Sequence, residues 1–136
     1  PADLRREIEH RIANHDSSMT SVGELRAGAG AVVDVRSAPG AKHPMVRVHP
    51  ATGGKALYLG RRMNGYVEGM DVAASEKLLD ALWAHCTKPE FTWTHQWRVG
   101  DLLIWDNRCT IHRRDSFNGA ERRVMHRTQI KGDRPR

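Results

Sequence analysis

No stretch of the 136-residue sequence approaches the ~20 consecutive apolar residues that a bilayer-crossing helix needs, and no basic-then-apolar leader opens it. A soluble, cytoplasmic protein with no membrane partner is therefore expected. Cysteine is scarce: Cys86 and Cys109 stand alone, without a CxxC or a dense spacing, which excludes a disulfide framework and suits a reducing compartment. Apolar residues make up only 39% and aromatics 6%, against 28% charged, so the core is modest or shared. Internal repeats are absent. A starting methionine is absent too, and Pro1 in its place reads as a processed, trimmed or partial polypeptide.

What is abundant is positive charge. A net charge of +6 raises nucleic acid, acidic lipid or small anions as partners without choosing among them.

Along the chain, Leu4, Ile8 and Ile12 recur at four-residue steps, which predicts an amphipathic helix over residues 1–16. Residues 17–42 are rich in Ser, Gly and Ala without periodicity, and read as a loop or mobile segment. MVRV and ALYL flank HPATGGK, whose Pro50, Gly53 and Gly54 make turns, so a β-hairpin is expected. A covering helix is expected over 72–87, with Leu78, Leu79, Leu82, Trp83 and Cys86 on one face. Strand-like alternation returns in FTWTHQW, then LLIW, then CTIH, and finally RRVMHRTQI beyond the polar loop RRDSFNGAE. The fold class expected is mainly β with helices (α+β), a sandwich or barrel with helical decoration over 43–136.

In RRVMHRTQI, period-2 alternation places Arg123, Met125, Arg127 and Gln129 on one face. At ~3.3 Å per residue the two guanidinium-bearing Cα atoms lie about 13 Å apart, room for two separate anionic groups. Arginine suits that task, because its planar fork binds a carboxylate or sulfonate bidentately and stays charged. His112 closes the strand before. A histidine at a strand end also serves structure, and strand arginines also solvate exposed edges, so both readings stand at this point.

The ordered blocks HPMVRVHPATGGKALYLGRR, ALWAHCTKPEF, WRVGDLLIWDNR, His112, Arg123 and MHR ending at Arg127 resemble the TauD/TfdA family of Fe(II)- and 2-oxoglutarate-dependent dioxygenases, from about His43 to Pro135. The resemblance implies part of a double-stranded β-helix (jelly-roll, cupin-like) fold. It implies that His112 is the distal histidine of a 2-His-1-carboxylate iron site. It implies further that Arg123 pairs with the far carboxylate of 2-oxoglutarate and that Arg127 grips a small anionic substrate, a carboxylate or sulfonate, with O2 as co-reactant. Met63 falls where relatives place a side chain near that substrate, and Trp105 and Asn107 are expected to shape the strand before His112. A homo-oligomer is expected.

One departure stands out: none of the eight histidines has an acid two positions later, whereas the family's other two ligands form H-x-D or H-x-E. His15-Asp16 has the wrong spacing and falls in the stretch predicted helical. Residues 1–136 are accordingly expected to be the C-terminal portion of a single dioxygenase domain, inactive alone, with the other two ligands upstream. Two alternatives keep the same residues. One is a non-catalytic relative without a complete metal site. The other is a basic nucleic-acid-binding β-domain using Arg108, Arg113, Arg114, Arg122 and Lys131, disfavoured because no aromatic-basic stacking motif accompanies the charge.

Overall fold

The computed structural model describes residues 1–20, 23–60, 63–116 and 118–135. Its first element, α1, runs Ala2–Ile8 and stops well before residue 16. Leu4 and Ile8 pack on the core, but Ile12, the next apolar step, is 46% exposed. The residues after it explain the change. Asn14, His15 and Asp16 rank low in helix propensity, and sheet pairing gives their backbone groups better partners. Ile12–Asp16 is β1, so His15 and Asp16 sit on a strand and not on the expected helix.

β1 pairs antiparallel with β2, Gly40–Pro44, in the register Ala13 opposite His43 and His15 opposite Ala41. Part of the stretch expected to be loop is therefore a strand. It is a polar strand, GAKHP, which carries no alternation to announce it. The hairpin expected around HPATGGK is present as β3, Val46–Val48, and β4, Lys55–Leu57, with Arg47 opposite Ala56. A two-residue β5, Tyr66–Val67, lies on the other edge of β1, giving one sheet ordered β2-β1-β5 and a second made of β3 and β4.

The periodic apolar stretch forms α2, Val72–Cys86. Asp71 caps it, its carboxylate accepting from the Ala74 N–H at 3.1 Å, the usual way of satisfying a free donor at a helix start. Leu78, Leu79 and Leu82 meet Ile8, Ala13, Met45, Leu59 and Val67 in one core. Ser75 is buried in the same face and accepts the Val67 N–H at 2.9 Å, fastening the helix to the short β5.

Beyond a single 3-10 turn at Pro89–Phe91 the described residues hold no strand. The expected strands FTWTHQW, LLIW, CTIH and RRVMHRTQI are irregular here. Their apolar side chains face outward: Trp93 is 73% exposed, Leu102 84% and Ile130 98%. Alternation prepares two faces, but a strand exists only when a neighbouring backbone completes its ladder. Two helices and two small sheets make the described part α+β, with the core confined to its first two thirds.

Ser75→Ala is expected to destabilise the fold by roughly 1–3 kcal/mol, the cost of leaving a buried N–H unsatisfied. Urea denaturation followed by circular dichroism would show a lower midpoint at unchanged slope.

Candidate functional site

The irregular C-terminal stretch is tied to the β3-β4 hairpin by one carboxylate. Asp106 Oδ1 accepts from the Arg108 backbone N–H and from Arg108 Nε, both at 2.8 Å, while Oδ2 accepts from Arg108 Nη2 at 2.6 Å. Oδ2 also lies 3.0 Å from His49 Nε2. The tautomer follows from the other nitrogen: His49 Nδ1 accepts the N–H groups of Ala51 and Thr52, each at 3.3 Å. A neutral imidazole carries one N–H, so that proton sits on Nε2 and is donated to Asp106. The side-chain bond from Arg108, then the bond from His49, hold the Asp106 carboxyl well below the usual carboxylate range.

Cys109 Sγ lies close enough to complete a donor trio with His49 and Asp106, all within 4.8 Å of one another. A cation there would displace the Arg108 guanidinium, and it would take the Nε2 lone pair while Nδ1 is held as an acceptor. The chemistry of the donors thus favours a structural clasp over a metal centre.

The same turn carries the indole that two of the sequence-predicted residues, His112 and Arg127, lie against. Trp105 Nε1 donates to Asn107 Oδ1 at 2.8 Å, fixing the ring. The His112 ring lies 5.0 Å from it, and the Arg127 guanidinium carbon lies 5.8 Å over it. His112 and Arg127 thus share Trp105 as a neighbour. Arg123 directs Nε to Met125 Sδ at 3.1 Å, and Met63 is exposed beside Gly23. His112, Arg123 and Arg127 are all exposed. Among the described residues the one three-donor group is His49, Asp106 and Cys109, and His112 is not part of it. Arg108 and Arg113 are committed to Asp106 and Asp115. Arg61 and Arg62, which end the LYLGRR block, lie outside the described residues.

His112 also lines a cavity of roughly 400 Å³ shared with His15, Tyr58, Gly60 and Asn107. His15, His43 and Tyr58 cluster there, with ring centres 4.9 to 5.4 Å apart. Gly60 approaches the His15 ring so closely that any side chain would collide with it. Burial, then the charges of Arg134 and Arg47, push the His43 pKa down. Sequence reasoning missed this group, because His15 and His43 become neighbours only once the β1-β2 register is known.

A model of the family "Taurine catabolism dioxygenase TauD, TfdA family" matches residues 1–129, and the chain belongs to that family. It is 33% identical over 138 residues to the alpha-ketoglutarate-dependent 2,4-dichlorophenoxyacetate dioxygenase of Burkholderia sp. (strain RASC), covering 100% of this chain and 45% of the relative. It is 38% identical over 94 residues to the alpha-ketoglutarate-dependent sulfate ester dioxygenase of Pseudomonas putida, covering 69% of this chain and 31% of that one. In structure it resembles AAD-2 in complex with Mn(II) and N-oxalylglycine, with a TM-score of 0.63, 28% identity, and coverage of 80% of this chain and 42% of that one. The chain thus spans about half the length, 45%, of the first of these relatives. These likenesses place the α+β architecture with the family's jelly-roll dioxygenases.

Because the Asp106 carboxyl titrates below its ordinary value of 3.8, the clasp contributes fully above that value and is lost as pH falls beneath it. Asp106→Asn is expected to lower the urea midpoint at neutral pH and to flatten the decline seen on acidification. Identical pH profiles for the two proteins would count against the clasp.

Proposed function

We propose that the chain is the C-terminal portion of an Fe(II)- and 2-oxoglutarate-dependent dioxygenase domain acting on a small anionic substrate. In this reading His112 is one iron ligand, Arg123 holds the far carboxylate of 2-oxoglutarate, Arg127 grips the anionic group of the substrate, and Met63 borders that substrate. The bound metal and cosubstrate supply the oxygen-activating chemistry. The chain's own contribution is positional and electrostatic.

The observation that carries the proposal is that His112 and Arg127 both lie against the Trp105 ring, which supports reading one as a metal-binding donor and the other as an anion clamp of the same site. The family match from residue 1 to 129 supports the same assignment, since it spans all three residues. Relatives named for a phenoxyacetate and for sulfate esters both imply anionic substrates. We favour a carboxylate over a sulfonate, because the LYLGRR block resembles the aryloxy-carboxylate relatives.

In the iron-loaded enzyme, anaerobic addition of 2-oxoglutarate is expected to produce a visible charge-transfer absorption. Arg123→Ala is expected to weaken 2-oxoglutarate about 10- to 100-fold while sparing the substrate, and Arg127→Ala to do the reverse, as loss of a hydrogen-bonded ion pair implies. Titration of that absorption with each ligand measures both constants. Equal losses for the two ligands would contradict the assignment.

A further inference from the structure

Arg47 is a cation that neither the clasp nor the proposed dioxygenase site uses. It lies on β3 and is only 5% exposed, yet its Nε is buried without a hydrogen-bond partner, and among the described residues no carboxylate pairs with its guanidinium. Its partner is a ring: the guanidinium carbon stands 5.2 Å from the centre of Tyr58, two residues beyond the Ala56 that faces Arg47 across the hairpin. A buried charge left this way is costly unless something supplies the counter-charge.

A cavity of roughly 200 Å³ opens at this position, bordered by Arg47, Tyr58, Asn107, Arg108 and Asp133. Neither Arg123 nor Arg127 borders it. Two guanidiniums, Arg47 and Arg108, border it with one carboxylate, Asp133, and Arg108 is paired with Asp106 within the clasp. Arg47 is left facing the cavity, with Asp133 as the opposing charge at the rim. Asn107 borders it too, and with its Oδ1 occupied by Trp105 Nε1 its amide N–H groups have no partner among the described residues. The charge of Arg47 is felt nearby, since it helps to lower the pKa of His43.

We infer that Arg47 is the floor of a separate anion site, taking a small oxyanion such as a carboxylate or phosphate in the cavity against Tyr58 and Asn107. The planar guanidinium would receive two oxygens through its fork, and the ring face of Tyr58 would hold that fork in plane. The site goes beyond the dioxygenase reading and does not depend on it.

Thermal melting of the purified protein in acetate or phosphate, each against chloride at equal ionic strength, tests this. A saturable rise in Tm is expected for the wild type, Arg123→Gln and Arg127→Gln, with the stronger of the two anions identifying the oxyanion class. Arg47→Gln is expected to weaken the apparent dissociation constant about tenfold or more, the loss of one charge-assisted contact. Asp133→Asn is expected to tighten it. If Arg47→Gln melts without cooperativity, Arg47→Lys keeps the charge but not the fork, and a comparable weakening is expected. An unchanged constant in the Arg47 variant, a rise abolished by the Arg123 or Arg127 change, or no saturable rise with either anion would overturn the inference.

Discussion

The carboxylate of Asp106 is the one group on which the two parts of the described chain depend. On one side stands a hairpin whose turn is organised by His49, and on the other a long irregular stretch with little core of its own. Asp106 accepts from both, and its backbone carbonyl accepts again from Cys109 N and from the Thr110 backbone and hydroxyl. The turn it organises holds Trp105, and Trp105 in turn carries His112 and Arg127. Packing alone would not place those residues, because the apolar core ends at α2. Hydrogen bonds to a charged group therefore set the geometry where burial is missing, which suits a surface that must receive polar ligands.

Much of the ordered core was legible from local pattern. The hairpin was announced by Pro50, Gly53 and Gly54 between apolar runs, and α2 by its leucines together with an Asp at its cap. What escaped were elements whose reason is distant. β1 and β2 pair across more than twenty residues, and β1 buries Asn14 and Asp16, polar residues that no hydrophobic template selects. Asn14 donates its amide N–H to the Ala38 carbonyl at 2.7 Å while its Oδ1 stays without a partner among the described residues, and Asp16 accepts from Ser18 at 2.6 and 2.8 Å, contacts that sequence spacing does not reveal. The later strands were over-read, because alternation was present and pairing was not.

The candidate site divides in the same way. Residue chemistry said that two arginines at four-residue spacing could clamp two anions, but solvated strand arginines were the more ordinary reading until the ordered blocks of the family were set beside them. The approach of Arg127 to Trp105 lay in tertiary geometry, as did the tautomer of His49, which depends on two backbone N–H groups in its own turn. Arg47 was invisible for a simpler reason. An arginine in MVRV looks like the outward member of an alternating pair, yet it is buried while its neighbour Val48 is exposed.

The outward-facing aromatics of residues 91–97 have a colloidal consequence. LLIW is guarded on both sides, by Asp101 and Asp106, and at four residues it is too short for a dry zipper between copies. FTWTHQW is different: seven residues without a formal charge or a proline lie between Glu90 and Arg98, three of them bulky aromatics, and the one titratable group among them, His95, is paired with Asp101 at 3.0 Å. No gatekeeping charge interrupts that window. Self-association of uncovered chains would begin there, by strand-on-strand stacking of the tryptophans.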